Sequence, residues 1–174
     1  MKTIRGEKIF LRPICLDDTD NILRWRNSDH IRNNFIYQKP VTREDHERWL
    51  ETRVATGEVI QFIIITEEGK HPIGSVYLRD VDRKEQRAEY GIFIGETEAL
   101  GKGYGTEALR LMLCFAFEEL HLKLLTLRVL ARNVTARGVY EKAGFLPDPD
   151  RRDSAVINGK SEEILFYRKN SPEA

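Results

Sequence analysis

Cysteine is scarce in this sequence, and neither sign of charge is in excess. Its 174 residues include two cysteines, Cys15 and Cys114, too few for the disulfide framework of many small secreted domains. The 28 basic and 28 acidic side chains leave a formal net charge of zero, whereas general nucleic-acid binders carry a basic excess. The composition therefore argues against a disulfide scaffold and against a nucleic-acid partner. Cys114, between Leu113 and Phe115, is expected to be a small buried hydrophobic residue.

Long apolar runs are absent as well. No run approaches the ~18 residues that a membrane-spanning helix needs, and residues 1–7 lack the apolar core of a secretory signal. We therefore expect a cytoplasmic protein without a membrane partner. The four histidines are scattered, and no metal-ligand spacing occurs, so no metal ion is expected.

The apolar residues that are present follow helical and strand spacings along the whole chain. With 41% hydrophobic and 32% charged residues, the length suits one domain, 1–174, with a sizeable core. The spacings predict the order β-α-α-β-β-β-α-β-α-β-β, with an Asn158-Gly159 hairpin turn and a frayed tail at 170–174. One predicted helix starts at Asp17, because the carboxylates of Asp17 and Asp18 favour a helix start, and a second is capped by Thr42 and ends at Gly57. Two further helices are predicted over 104–119 and 134–143, and an irregular link over 30–40. The predicted strands are 8–13, 61–65, 73–81, 87–94, 123–131, 145–156 and 162–169.

A glycine-dense run, Leu100-Gly101-Lys102-Gly103-Tyr104-Gly105-Thr106, separates a predicted strand from a predicted helix. Glycines let a backbone turn tightly, and the first N–H groups of a helix are unpaired and carry partial positive charge. Such a turn suits a diphosphate. The spacing is that of neither the P-loop nor the dinucleotide-binding fingerprint. Taken alone, the run fits a phosphate site and a connector without a ligand equally well.

A second segment, 133–145, follows another predicted strand and supplies Asn133, Ala136, Tyr140, Lys142, Gly144 and Phe145. Together the two segments resemble the signatures of the GNAT N-acetyltransferase superfamily. Those signatures are Gln/Arg-x-x-Gly-x-Gly/Ala, matched by Gly103 and Gly105, and an Asn with an Ala three residues on, followed by Tyr-x-Lys-x-Gly-Phe. The likeness covers about 9–167, within the branch of ribosomal-protein, polyamine and nucleotide-linked amino-sugar acetyltransferases. Leu100 departs from the first signature, so we expect differently arranged cofactor contacts.

The resemblance implies an α/β (α+β) fold of the GNAT type. Its central sheet would be mixed, mostly antiparallel and flanked by helices, and it would splay between its fourth and fifth strands, 87–94 and 123–131. Acetyl-CoA is the implied acetyl donor. Its pantetheine arm would pair with the backbone near Phe93 and Ile94, where an N–H would polarise the thioester oxygen, and would bond to Asn133. Its pyrophosphate would lie on Gly101, Lys102, Gly103, Tyr104, Gly105 and Thr106.

Two residues are candidates for moving protons in acetyl transfer. Tyr140 is the candidate general acid, because its phenol, with an ordinary pKa of ~10, suits a departing thiolate. By spacing alone it would be a core tyrosine, and its place in the second signature favours the catalytic role. Glu89 is the candidate base for the amine proton. It would otherwise pair with an arginine such as Arg87 or Arg128, with water taking the proton instead.

The acceptor pocket is expected from the N-terminal helices and the link between them. The run 24–32 resembles a Trp-Arg-Asn stretch of acetyltransferases that act on nucleotide-linked amino sugars. In that role Trp25 would stack on a ring, and Arg26 or Arg32 would meet a diphosphate. By spacing alone, Trp25 fits a core position with Ile22, and the arginines fit a solvated face.

The resemblance favours an acetyl-CoA-dependent N-acetyltransferase acting on a primary amine, as a monomer or a homodimer. The expected acceptor is a small amine, namely a polyamine, an amino sugar or an antibiotic. A protein N-terminus, as in ribosomal-protein acetyltransferases, is the alternative. A non-catalytic acyl-CoA-binding regulatory module and a nucleotide-binding domain are alternatives of other classes. Tyr140 argues against the former, and missing magnesium and ribose ligands against the latter.

Overall fold

One eight-stranded sheet carries the fold in the computed structural model, which describes residues 1–172. Its spatial order is β1-β2-β3-β4-β5-β6-β8-β7. Neighbouring strands are antiparallel except for the parallel pair β5–β6. The strands are β1 (Ile4–Arg5), β2 (Ile9–Pro13), β3 (Val59–Thr66), β4 (Pro72–Asp82), β5 (Arg87–Ile94), β6 (Leu124–Leu130), β7 (Leu146–Ile157) and β8 (Lys160–Asn170).

Five α-helices flank the sheet in the described part of the chain, residues 1–172. Two of them, α3 and α4, continue into π-helical turns, Leu50–Val54 and Phe115–Glu119, and so match the lengths predicted for them. Within residues 1–172, no helix is long and apolar enough to cross a membrane. The helices are α1 (Thr19–Arg26), α2 (Asp29–Arg32), α3 (Arg43–Trp49), α4 (Tyr104–Cys114) and α5 (Val134–Lys142).

Residues close in sequence determine where α3 begins and ends, whereas the start of α1 depends on a contact with β2. Thr42 caps α3 as predicted, because its hydroxyl accepts the N–H of Asp45 at 3.1 Å while the Asp45 carboxylate accepts the N–H of Thr42. Gly57 closes the following turn with a φ of +80°. The helix predicted from Asp17 begins later, at Thr19, because Asp18 lies in a 3₁₀ turn and pairs at 2.6 Å with Arg12.

The core lies on both faces of the sheet. One cluster packs α4 and α5 on one face, where Leu109 and Met112 are buried, and a second packs α1 on the other, around Trp25 and Ile63. The prediction for Cys114 is wrong, since its side chain is exposed. Like Arg110 and Glu118, four residues to either side of it, Cys114 lies on the outer face of the helix.

The C-terminal hairpin forms as predicted. Asn158 and Gly159 both have positive φ, +51° and +76°, as a tight turn between paired strands requires. The tail is ordered further than expected, because β8 runs through Asn170 and the N–H of Ser171 donates to the carbonyl oxygen of Lys123 at 2.9 Å. The last two residues of the predicted tail, 173–174, lie outside the described part of the chain.

The sheet splays where the sequence predicted. β5 and β6 pair only through three consecutive residues each, from Arg87 with Leu124 to Glu89 with Thr126. Beyond that point β5 continues to Ile94 and β6 to Leu130 without pairing to each other. The fold class is therefore confirmed, and the splay leaves one backbone edge of β5 facing an open cleft.

Candidate active site

The cleft between β5 and β6 is a cavity of about 560 Å³. Most of the residues predicted to act at the site lie in its wall, and Lys102 does not. The glycine loop forms one part of the wall, the free edge of β5 a second part, and α5 a third. The predicted residues in the wall are Glu89, Phe93, Ile94, Gly101, Gly103, Tyr104, Gly105, Thr106, Asn133 and Tyr140.

The glycine loop has a conformation that few other residues could adopt. Gly101 and Gly103 have φ values of +73° and +83°, and Gly103 is the N-cap of α4. A Cβ built on Gly101 would meet nothing within 4 Å, and one on Gly103 would meet only Lys8 Nζ, at 3.9 Å. The N-terminus of an eleven-residue helix therefore faces the cavity with open backbone and a lysine beside it. This arrangement fits a pyrophosphate.

Asn133 combines a structural role with a free donor. Its Oδ1 accepts the N–H of Ala136 at 3.2 Å and so caps α5. Its Nδ2 makes no hydrogen bond with the described residues. Since the residue lines the cavity, its amide is available to a carbonyl of a bound ligand.

Tyr140 is buried in the cavity wall, with 8% of its surface exposed. Its ring packs edge-on against Tyr90 and Phe145, with centroids 6.2 and 6.1 Å away. Burial raises the pKa of Tyr140 well above its ordinary value of 10.0. The hydroxyl therefore keeps its proton at neutral pH and makes no hydrogen bond with residues 1–172, so it can donate to a ligand.

Glu89 is held by two arginines, Arg79 at 2.9 Å and Arg128 at 3.1 Å. Both contacts use Oε1, and both arginines also donate to the hydroxyl of Tyr37. The other oxygen, Oε2, accepts no hydrogen bond from any described residue. Burial raises the pKa of Glu89, and the charge of Arg79 opposes that rise. Of the partners suggested by the sequence, Arg128 pairs with Glu89 and Arg87 does not.

A second cavity, of about 450 Å³, adjoins the cleft. Its wall comes from α1, the link before α3, α3 itself, β3, β4 and β5. Arg26, His46 and Trp49 belong to this wall alone. The two cavities share five wall residues: Phe35, Tyr37, Tyr77, Arg79 and Phe93.

A family model described as an acetyltransferase (GNAT) domain matches residues 8–146. The chain belongs to the GNAT acetyltransferase family. Probable N-acetyltransferase YjcK of Bacillus subtilis is 30% identical over 171 residues, which span 92% of each chain. "Putative ribosomal N-acetyltransferase YdaF" of Bacillus subtilis is 34% identical over 94 residues, or 54% of this chain and 51% of the relative.

The fold of this GNAT enzyme is also that of solved relatives. The spermidine N-acetyltransferase of Vibrio cholerae, in complex with CoA and spermine, superimposes with a TM-score of 0.87 at 22% identity, over 95% of this chain and 97% of that one. A dodecameric form of that Vibrio protein is also known. The family uses acetyl-CoA, and the chain is an N-acetyltransferase.

Two residues predicted for the acceptor pocket of the GNAT chain lie elsewhere. Trp25 is 1% exposed, belongs to the core beneath β5, and donates from Nε1 to Glu96 at 2.8 Å. Arg32 donates to the carbonyl oxygen of Gln38 at 3.5 Å and lies in neither cavity wall. The ring of Trp25 is therefore unavailable for stacking, because helical spacing with Ile22 turns it inward.

Several wall residues of this GNAT site were missed from the sequence. Arg79, Tyr37 and Tyr77 come from β4 and the link, which carry no family signature. One signal was available for Arg79: it lies directly opposite Glu89 in the β4–β5 register, where opposite charges attract. Within residues 1–172, no group of three or more His, Cys, Asp or Glu side chains is arranged to hold a metal ion.

We expect the stability of this GNAT domain to fall as the pH drops below about 6.5. His46 is 4% exposed, and burial lowers its pKa below the ordinary 6.5, with the charge of Asp18 opposing. Below pH 6.5 the imidazole of residue 46 binds a proton in the unfolded chain but stays neutral in the folded chain. The free energy of unfolding therefore decreases as the pH falls from the unfolded pKa towards the folded pKa. Urea unfolding of His46→Gln at pH 7.5 and 5.5 should show less loss than the wild type.

His71, which is exposed, provides the control for that measurement. His71→Gln should keep the wild-type pH dependence. Equal losses in wild type and His46→Gln would show that His46 does not cause it.

Proposed function

We propose that this enzyme transfers the acetyl group of acetyl-CoA to a small primary amine by direct attack of the amine on the thioester. The observation that carries the proposal is the cleft between β5 and β6. It joins an anion-binding loop, a free strand edge and a buried tyrosine hydroxyl in one wall, and it adjoins a second cavity with room for an acceptor.

The cleft residues fit acetyl-CoA. The N–H groups at the start of α4, with Gly101 and Gly103, would hold the pyrophosphate, and Lys8 stands beside them. The β5 edge near Phe93 and Ile94 would pair with the amide groups of the pantetheine arm as an added strand does. The free Nδ2 of Asn133 would donate to the same arm.

The chemistry needs two proton movements. The amine nitrogen forms a bond to the thioester carbon, the carbon–sulfur bond breaks, and an N–H of β5 stabilises the negative charge that develops on the carbonyl oxygen. The amine proton passes to Glu89 Oε2 or to water. Tyr140 donates its proton to the leaving thiolate, and burial raises the pKa of the phenol and so keeps it protonated until the thiolate forms. Fixing both reactants in one cleft lowers the barrier further.

Thiol release from acetyl-CoA, measured over a panel of acceptors, tests this proposal. The panel contains polyamines, amino sugars, aminoglycosides, amino acids and peptides with free N-termini, and calorimetry on the same samples measures acetyl-CoA binding. Turnover with one small amine class is expected. Turnover with peptides alone would contradict the small-amine acceptor and favour the protein N-terminal activity that the name of the relative YdaF suggests. Acetyl-CoA binding without any turnover on the panel would indicate a protein acceptor or a binding module.

A further inference from the structure

The second cavity contains a half-buried cation without a counter-ion. Arg26 makes no hydrogen bond and no ion pair with any residue of 1–172, and its Nη1 is buried without a partner. Its guanidinium lies over the ring of Phe35, 3.8 Å from the centroid. Burial lowers the pKa of Arg26, yet an arginine stays charged in proteins. Such a half-buried charge is costly unless something pairs with it.

The other cations of this wall are already paired within the described chain. Lys39 lies 3.7 Å from Asp45, and Arg53 contacts Glu58 and Asp80 at 2.9 and 3.0 Å. Arg79 pairs with Glu89. Arg26 is therefore the cation of this wall that has no carboxylate partner within residues 1–172, and a ligand with a negative group would supply one.

The other residues of the wall indicate what kind of ligand would carry the negative group. Phe35, Trp49, Tyr77 and Phe93 make much of it aromatic. His46 offers an acceptor for an N–H or O–H of the ligand and not for its anionic group: the hydroxyl of Thr19 donates to Leu16 and so receives the N–H of His46 Nδ1, which leaves Nε2 with a lone pair and without a partner. A small ligand with an apolar body and one anionic group matches these surfaces.

We propose that the acceptor is an amine that also carries a carboxylate, which pairs with Arg26. This inference rests on the proposed function and names the substrate class of the same site. A carboxylate supplies one negative charge and matches the planar fork of a guanidinium. The second cavity shares Phe93 with the cleft, so a ligand anchored at Arg26 can extend its amine towards the β5 edge. A polyamine would place further cations beside Arg26, which electrostatics disfavours.

Matched pairs of amines, with and without the carboxylate, test the proposal. Phenylalanine is compared with phenethylamine, aminovalerate with butylamine, and spermidine is included as a polyamine. Thiol release gives kcat/KM, and calorimetry in the presence of CoA gives acceptor binding without turnover. We expect the carboxylate member of at least one pair to be favoured by about 10- to 100-fold, the usual range for a hydrogen bond to a charged group.

Arg26 variants locate the effect. Arg26→Gln should lower kcat/KM for the carboxylate member to that of its matched amine, while the value for the amine does not fall. Arg26→Lys should restore part of the preference. The same substitution at Arg48, an exposed residue of α3 outside both cavities, should change nothing. Arg26→Gln should also unfold at the wild-type temperature or above, because it removes an unpaired half-buried charge.

The outcomes separate the two proposals. Carboxylate binding that is lost in Arg26→Gln supports the Arg26 site even where no acetyl transfer occurs, and only the acetyl-transfer proposal then fails. Equal values within every pair, no binding of either member, a preference for spermidine, or an equal loss for both members in Arg26→Gln would overturn the carboxylate proposal.

Discussion

Tyr140→Phe should lower kcat by about 10²- to 10⁴-fold, the usual contribution of a positioned general acid, while the Kd for acetyl-CoA stays at the wild-type value. The substitution removes one oxygen atom and keeps the ring that packs on Tyr90 and Phe145. The hydroxyl makes no hydrogen bond within the described chain, so its loss should not weaken the fold. Stopped-flow thiol release gives kcat, and calorimetry gives the Kd.

Tyr90 is the matched control for that variant. It lies in the same wall, is 3% exposed, and has a hydroxyl buried without a partner. Tyr90→Phe should keep kcat, and it should unfold at the wild-type temperature or above, because an unsatisfied buried hydroxyl destabilises a fold. If kcat were unchanged in Tyr140→Phe, or fell equally in both variants, Tyr140 would not be the acid.

Gly74→Ala should destabilise the domain by about 1–3 kcal/mol, as overpacking does, and raise the KM for acetyl-CoA. A Cβ on Gly74 would lie 2.2 Å from the carbonyl oxygen of Phe93 and 2.9 Å from Cα of Ile94. These are backbone atoms of the paired strand, so β5 itself must move. The same stretch of β5 is the edge assigned to the pantetheine arm. Thermal unfolding should show a loss of about 2–4 °C for each kcal/mol.

Gly138→Ala is the matched control, because the same glycine-to-alanine change is expected there to stabilise the domain. Gly138 lies within α5, and a Cβ there would meet nothing within 4 Å. Alanine is favoured over glycine in helices, so we expect a gain of about 0.5–1 kcal/mol with unchanged kinetic constants. A stability equal to wild type in Gly74→Ala would mean that β4 and β5 separate more easily than their contacts indicate.

The charge distribution of the site bears on the choice of acceptor. Glu89 is the acidic residue of the cleft wall, and two arginines hold it. The adjoining cavity contains the unpaired Arg26. A relative with the same fold was solved with spermine, a polycation. A shared fold therefore does not settle the acceptor, because acceptor choice depends on side chains that the fold leaves free to vary.

Local patterns predicted most of the elements and the position of the glycine loop before α4. The β5 range was predicted to the residue, and α4 with its π-helical turn covers the predicted 104–119. Such elements follow from short-range physics: apolar periodicity, caps such as Thr42, and glycines where φ is positive. Short pieces were missed, namely β1 and the four-residue α2, most of which falls in the predicted irregular link. They contain too few residues for a periodicity to be visible.

The family could be predicted from the sequence, because the glycine loop and the residues around Tyr140 lie within two continuous segments whose spacing carries the pattern. Only the tertiary structure decided the environment of Arg26 and Trp25, two neighbours on α1. Helical geometry points adjacent side chains about 100° apart, so Trp25 enters the core while Arg26 faces a cavity built from five other segments. A missing counter-ion results from all of those segments together, and no local pattern records it.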